Sequence, residues 1–222
     1  MGIFIAISIM AVWLIHLLYV LNNITISFSS PILYFHLLVQ TYLYTGLFIT
    51  AHDAMHNTIS SNKKLNRFIG SAATLLFAGL SFNKLLKNHR LHHKHPGSND
   101  DPDFYSGSQN FILWWMVFMK RYTTIIQILI MAAAFNILKI WFDDSVLIMF
   151  WIVPAFLSTL QLFYFGTYVP HKYPHTKSML PHNARSQGKN HLWAMLSCYF
   201  FGYHHEHHES PKIPWWQLYK VK

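Results

Sequence analysis

Residues 3–21 read IFIAISIMAVWLIHLLYVL, a run without a single formally charged residue. As an α-helix rising about 1.5 Å per residue, this run would be about 28 Å long, close to the thickness of a bilayer's hydrocarbon core. No basic segment precedes it and no small-residue cleavage site follows it, so we expect an uncleaved membrane helix. The whole chain of 222 residues is 53% hydrophobic and 11% charged. Soluble domains are about 25% charged, so a water-soluble or disordered protein is excluded.

Three further segments have the length and composition of membrane spans, namely residues 31–51, 122–141 and 146–168. Segments 68–86 and 111–119 are also apolar, but polar residues interrupt the first, and basic residues directly follow the second. This pattern predicts interfacial or re-entrant elements. The expected fold class is therefore an all-α integral membrane protein with about four transmembrane helices plus interfacial helices.

The distribution of charge predicts the orientation of the chain. If segment 68–86 does not cross, 16 of the 17 Lys and Arg residues lie on one side of the membrane, and only Lys139 lies on the other. By the positive-inside rule, this side and both termini are expected to be cytoplasmic. The net charge of +9 then serves orientation and contact with anionic lipid head groups, so no nucleic-acid partner is expected. Nothing resembles a linker, and we treat residues 1–222 as one domain.

Histidine is the most informative residue type, because many of the 16 histidines fall into three boxes. The boxes are HDAMH at 52–56, HRLHH at 89–93 and HHEHH at 204–208. Residues three or four apart share one face of a helix, so this spacing predicts strips of metal-binding imidazoles. His205 is rotated roughly 100° off its strip. The eight histidines on the strips are His52, His56, His89, His92, His93, His204, His207 and His208.

Eight imidazoles exceed the need of one metal ion, since a zinc site takes three or four ligands. The expected spans place all three boxes on the same side of the membrane, so the imidazoles divide naturally between two metal ions there. A ninth ligand is expected from the region after the last span, with His171 preferred and His182 as the alternative. The single Cys198 excludes an intrachain disulfide and a thiolate zinc site.

Few carboxylates lie on the histidine side. Asp53 and Glu206 stand inside boxes but off the strips, so we expect them to accept imidazole N–H groups rather than to bind metal. The segment 100–104 either orients the second box or simply forms a turn. His16 and His36 lie within spans and are expected to be neutral and hydrogen-bonded between helices.

Several motifs carry a resemblance to a known family. The three boxes have the HxxxH, HxxHH and HxxHH form of the membrane fatty acid desaturase and hydroxylase superfamily. Within it, residues 44–56, 101–104, 162–166 and 201–208, together with Pro170 and His171, resemble the bacterial and cyanobacterial β-carotene ketolases. The likeness covers about residues 38 to 218.

The resemblance implies an oxygenase with two non-haem iron ions, Fe²⁺ in the resting state, that uses O2 and electrons from a ferredoxin-like donor. It implies a carotenoid substrate, taken from the lipid bilayer, whose β-ionone ring is oxidised at C4. Two successive hydroxylations would give a geminal diol, and loss of water would give the ketone. By position, the iron ligands it implies are the eight strip histidines, with His171 or His182 less certain.

Other functions remain open at this stage. The same di-iron site would serve a carotenoid hydroxylase or a fatty acyl desaturase or hydroxylase. A metal transporter is disfavoured, because only His16 and His36 lie at mid-membrane depth. A zinc hydrolase would need a water-activating carboxylate such as Glu206. An apolar slot for a lipid substrate is expected among nearby aromatic residues. The candidates are Phe163, Phe165, Tyr168, Phe200, Phe201, Tyr203, Trp215 and Trp216.

Overall fold

The computed structural model describes residues 1–222 and contains helices and loops but no β-strand. The helices are α1 (Gly2–Asn23), α2 (Pro31–Met55), α3 (Lys63–Ala78), α4 (Phe82–Lys94), α5 (Phe111–Tyr122), α6 (Ile125–Leu138), α7 (Asp144–His171), α8 (His191–Cys198) and α9 (His204–Glu209). Helices α1, α2 and α7 are each long and apolar enough to cross a membrane, and the number rises to five if the bent pairs α3–α4 and α5–α6 each count as a span. The all-α membrane fold predicted from the sequence is confirmed.

Helices α1 and α2 pack side by side in opposite directions. The start of α1 lies against the loop that follows α2, where a Cβ on Gly2 would come within 2.5 Å of the Ile59 carbonyl oxygen. At the other end, Val20 and Leu33 share an apolar core with Leu147 at the start of α7. The end of α2 and the start of α1 therefore mark one end of the bundle, which we call the histidine end.

Helix α7 contains two π-helical turns, Ile148–Ile152 and Tyr164–Tyr168. Each is followed within two residues by a proline, Pro154 or Pro170. A proline inside an α-helix lacks the N–H donor and clashes with the carbonyl four residues back, and a widened turn relieves that clash. The helix thus continues past both prolines, and its last turn reaches the histidine end.

The pair α3–α4 enters the bundle from the histidine end and comes back to it. Helix α3 runs back along α2 until the ring of Phe77 lies 5.9 Å from that of Tyr44. The chain then turns at Gly79, whose φ of +66° suits glycine, and the axis bends by 102°. Helix α4 brings the His89 Nε2 atom to 2.6 Å from the His56 Nε2 atom. Because the pair starts and ends at the same end of the bundle, it has the geometry of a re-entrant element.

The structure differs from the predicted span at 122–141. Helix α5 ends at Tyr122, and Thr124 forms a capping box with Gln127 that begins α6 in a new direction, bent by 88°. Helix α6 has 14 residues, so it is about 21 Å long and shorter than a bilayer core. It nevertheless leads towards the far end of the bundle, from which α7 returns. The apolar run is therefore divided by a local capping signal.

The histidines within the spans link α1 to α2. The His16 Nε2 atom lies 3.0 Å from the His36 Nδ1 atom, and the other His16 nitrogen lies within hydrogen-bond distance of the Gln40 side-chain oxygen. This arrangement agrees with the expectation of hydrogen-bonded imidazoles between helices. Neither residue lies in the histidine clusters described next.

Candidate metal centre

Nine imidazoles meet at the histidine end in two groups, and in each group one ring nitrogen from every histidine lies within 4.8 Å of the others. Site A consists of His52, His56, His89, His93 and His207. Site B consists of His92, His171, His204 and His208. The last turn of α2, helix α4, the last turn of α7 and helix α9 supply these side chains.

The geometry of a helix explains why one box serves two sites. In the second box, His89 and His93 are four residues apart and both belong to site A, whereas His92 belongs to site B. Consecutive residues are rotated by about 100°, so neighbouring imidazoles face different positions. The third box does the reverse, with His207 in site A and its other two imidazoles in site B. Each HxxHH box therefore bridges the two sites instead of placing three imidazoles around one position.

The distances between ring nitrogens test whether metal ions fit. In site A, the Nε2 atoms of His93 and His207 lie 3.0 Å apart. In site B, the Nε2 atoms of His204 and His208 also lie 3.0 Å apart. Imidazole ligands about 2.1 Å from one ion have nitrogens about 3.0 to 3.4 Å from each other in octahedral or tetrahedral geometry. These two pairs are thus already spaced as ligands of a common ion, whereas His56 and His89 lie closer together, at 2.6 Å.

Unpaired nitrogens and protonation support the same conclusion. The Nε2 atoms of His52 and His171 are buried and have no hydrogen-bond partner. Burial, together with neighbouring imidazoles, holds the pKa values of His204, His207 and His208 well below their usual range. Neutral imidazole is the form that binds metal, so these three residues of the two sites are suited to bind metal ions.

Asp101 orients His92 from behind. The His92 Nδ1 atom lies 3.0 Å from each Asp101 carboxylate oxygen, and the backbone N–H of Gly97 donates to the same carboxylate at 2.8 Å. Burial alone would raise the pKa of Asp101, but His92 lowers it below its ordinary value, so Asp101 is ionised. With Nδ1–H donated to Asp101, the His92 Nε2 atom is free to face site B. Of the two interpretations of segment 100–104, the structure supports the orienting role.

The two carboxylates inside the boxes behave differently from each other. Asp53 is buried beside His52, but the closest nitrogen-to-oxygen distance of 3.7 Å is too long for a hydrogen bond, and Asp53 instead accepts the Trp215 backbone N–H at 3.2 Å. Glu206 accepts from the Ser186 hydroxyl and from Lys222 Nζ. Glu206, like Asp53, makes no hydrogen bond to an imidazole of either site, so the structure does not show the expected acceptor role for either carboxylate. Burial raises the pKa of Glu206, yet these two donors bring the net pKa below the ordinary value.

The remaining histidines stand outside both sites. The ring centroid of His182 lies 5.6 Å from that of His208, and His182 belongs to neither group. The His205 Nδ1 atom lies 2.9 Å from the Ala184 carbonyl oxygen, pointing away from the sites as the helical rotation predicts. The His191 Nδ1 atom lies within hydrogen-bond distance of the Tyr203 hydroxyl. Of the two alternatives for a ninth imidazole, the structure brings only His171 into a group.

A cavity of about 110 Å³ connects the two sites to the membrane-embedded part of the bundle. It touches His52 and His89 of site A and His92 and His204 of site B. Its apolar wall includes Phe48, Phe77, Leu80, Phe118, Phe163 and Phe201. Of the aromatic residues expected around a substrate slot, only Phe163 and Phe201 line this cavity. Phe200 and Tyr203, for example, pack into a separate apolar cluster.

Helices long enough to cross a membrane and two imidazole groups at one end define an integral membrane protein with a candidate di-metal centre. Comparison with known families agrees with this class. The sequence profile of the fatty acid desaturase family matches residues 27–222. The chain belongs to the fatty acid desaturase family.

Curated relatives of this chain belong to a narrower group within this family. The chain is 39% identical over 185 residues to a beta-carotene ketolase of Paracoccus sp. (strain PC1), covering 82% of this chain and 76% of the relative. It is 36% identical over 218 residues to the beta-carotene ketolase of Paracoccus sp. (strain N81106 / MBIC 01143), covering 95% of this chain and 88% of the relative. A zeaxanthin 4-ketolase of Chlamydomonas reinhardtii is 41% identical over 186 residues, but the match spans only 42% of that longer protein. No solved structure gives a significant match. The resemblance found in the sequence motifs is confirmed.

Proposed function

We propose that this protein is a β-carotene 4-ketolase, an oxygenase that converts the C4 methylene of a carotenoid β-ionone ring to a ketone. The observation that carries the proposal is the apolar cavity whose wall includes imidazoles of both sites. A ring placed in this cavity would lie beside both metal positions. The similarity to curated ketolases over most of the chain supports the choice of substrate and of reaction.

The proposed reaction has two oxidations at one carbon. Each hydroxylation inserts one oxygen atom of O2 into a C–H bond, consumes two electrons and two protons, and reduces the other oxygen atom to water. The second hydroxylation gives a geminal diol, which loses water to form the ketone. Iron ions held by sites A and B would supply the activation of O2 when bound, and imidazole is a suitable ligand for iron.

The chain itself contributes position and a dry environment. Phe163 and Phe201 are placed to hold the ring against the imidazole groups, and the buried setting excludes water from the reacting carbon. Asp101 keeps His92 in the tautomer whose Nε2 atom faces site B. The protein thereby fixes both the substrate and the ligands before reaction.

Access from the lipid phase fits a carotenoid substrate. The elbow between α5 and α6 lines the cavity with Met119, Thr123 and Gln127. On the adjoining helix α6, Ile125 and Ile126 are 77% and 71% exposed, as expected for side chains in contact with acyl chains. We propose that the polyene, dissolved in the bilayer, enters beside this elbow.

The electron donor is proposed to dock on the basic face of α4. Lys87, Arg90 and Lys94 are exposed on one face of α4, the helix that also carries His89 and His93 of site A. An acidic carrier such as a ferredoxin-like protein would be attracted to this face and brought within one helix diameter of the metals.

We also propose that the histidine end is cytoplasmic, on the basis of the positive-inside distribution. Variants with one added cysteine each test this orientation. Lys64→Cys and Lys94→Cys are expected to react with an impermeant thiol reagent from the cytoplasmic side, and Lys139→Cys from the opposite side. The native Cys198 is buried and should give little background. Labelling of the first two variants from different sides would contradict the proposed topology.

Expression in a host that accumulates β-carotene, followed by chromatography and mass spectrometry of the pigments, tests the proposed reaction. Ring ketones at C4 are the expected products. Rings hydroxylated at C3 without ketone would instead indicate a carotenoid hydroxylase, and unchanged β-carotene in cells that contain the membrane-inserted protein would overturn the proposal.

A further inference from the structure

The proposed reaction requires that the half-oxidised ring stay bound between its two oxidations. After the first oxidation, the ring carries a hydroxyl group inside a largely apolar cavity. A buried hydroxyl without a hydrogen-bond partner is costly, so the alcohol would leave for the bilayer surface before its second oxidation. An enzyme that delivers mainly ketone therefore benefits from a polar group that pairs with this hydroxyl beside the metals.

Most of the polar side chains on the cavity wall are already engaged. The Tyr122 hydroxyl donates to Asp103, and the Gln127 side-chain oxygen accepts the backbone N–H of Thr124. The Thr159 hydroxyl donates to the Phe156 carbonyl oxygen at 2.7 Å. Two lining hydroxyls make no hydrogen bond within the chain, those of Thr123 and Thr167.

Of these two, Thr167 is the one beside the metal sites. It stands four residues before His171 of site B, on the same face of α7, whereas Thr123 lies at the elbow where α5 ends. Thr167 is 6% exposed, and its neighbour Gly166 also lines the cavity. The Thr167 hydroxyl is thus a free donor and acceptor on the cavity wall, one helical turn before His171 of site B.

The π-helical turn explains why this hydroxyl is free. Buried threonines in regular helix usually donate to the carbonyl four residues back, as Thr41, Thr45 and Thr50 do in α2 at 2.8 to 3.1 Å. Thr167 lies in the widened turn Tyr164–Tyr168 and makes no such bond. Its donor and acceptor are both available to a ligand in the cavity.

We infer that Thr167 is a specificity-determining residue that hydrogen-bonds the C4 hydroxyl of the half-oxidised ring and so directs the enzyme to the ketone rather than the alcohol. The inference rests on the proposed ketolase function. The inference adds no redox step. Both oxidations are those of the proposed reaction, with O2 as oxidant and the electron-donor protein as reductant. Thr167 acts only on the partition between release and second oxidation.

The isosteric variant Thr167→Val tests this role in the β-carotene-accumulating host. The ratio of C4-alcohol to C4-ketone is expected to rise about tenfold, the effect of one hydrogen bond of ordinary strength. Thr167→Ser should return the ratio towards that of the wild type. Thr41→Val removes a hydroxyl from a buried helical threonine outside the cavity and should leave the ratio unchanged. A merely structural effect would lower both products together, and that outcome, or an unchanged ratio, would overturn the inference.

A binding measurement without turnover provides a second readout. In the absence of reductant and O2, purified wild-type protein in detergent should bind the C4-alcohol about tenfold more tightly than Thr167→Val does, with equal affinity for β-carotene. If Thr167→Val is not recovered from membranes, Thr167→Ala replaces it, and equal affinity of this variant and the wild type for the alcohol refutes the role of Thr167. Absence of any oxidised carotenoid with the wild type would refute the ketolase proposal instead, so the two failures are distinguishable.

Discussion

His207→Ala is expected to abolish ketone formation while leaving the protein inserted in the membrane. His207 is buried in site A, where its Nε2 atom lies 3.0 Å from that of His93. Loss of a direct ligand should exceed the roughly 10- to 100-fold effect typical of residues that only support ligands. Insertion should persist, because the apolar spans and not this short helix carry the chain into the bilayer. Pigment analysis and the amount of protein in the membrane fraction measure the two effects.

The metal content of the same variant separates site A from site B. Purified His207→Ala should lose metal from site A in preference to site B, since only site A loses an imidazole and site B keeps all four of its own. The matched control is His205→Ala in the same box, because the His205 ring bonds to the Ala184 carbonyl and belongs to neither site. Equal losses of metal and activity in the two variants would contradict the division of the third box.

Much of this centre could be predicted from spacing alone. Hydropathy identified α1, α2 and α7, and the intervals of three and four residues within the boxes indicated imidazoles on common helix faces. The sequence alone could not show which imidazoles share a site, because that depends on how α4 and α9 face each other across the two sites. A rotation of about 100° per residue implies that adjacent His92 and His93 diverge, but only the packed helices reveal that each faces its own site.

The differences from expectation have local causes. Hydropathy predicts one span at 122–141 because it takes no account of helix capping. In the structure, the Thr124–Gln127 capping box starts a new helix inside this apolar run. For segment 100–104 the sequence left an orienting role and a simple turn both open, because Asp101 lies outside the boxes, eight residues after His93, and reaches His92 only through a folded turn. Its position before Pro102 in an acidic segment was the signal available in the sequence. Nothing in the sequence pointed to Thr167, because its hydroxyl is free only as a result of the π-helical turn in which it lies.

Gly166→Ala is expected to reduce ketone formation by about 100-fold, although it adds one methyl group and changes no ligand. A Cβ at this position would lie 2.0 Å from Phe201 Cε1 and 2.6 Å from Phe201 Cδ1, so the ring must move. Little room exists for that movement, because the Phe201 ring centroid lies 5.0 Å from that of His52 and 5.4 Å from that of His204. Displacement of the ring by about 1 Å would misplace both the substrate wall and an imidazole, and such errors cost about two orders of magnitude in rate.

A double-mutant cycle distinguishes this steric cause from a general loss of stability. In the Phe201→Ala background the three ring atoms that a Cβ would meet are gone, so adding Gly166→Ala should lower activity less than about threefold. Gly188→Ala is the matched control, since no atom lies within 4 Å of a Cβ there, and it should retain wild-type activity. If Gly166→Ala lowered activity by the same factor with and without the Phe201 ring, a clash between this methyl group and the ring would not be the cause of the loss. A reduced cost without the ring would mean that the glycine is required because it leaves room for Phe201 beside both imidazole groups.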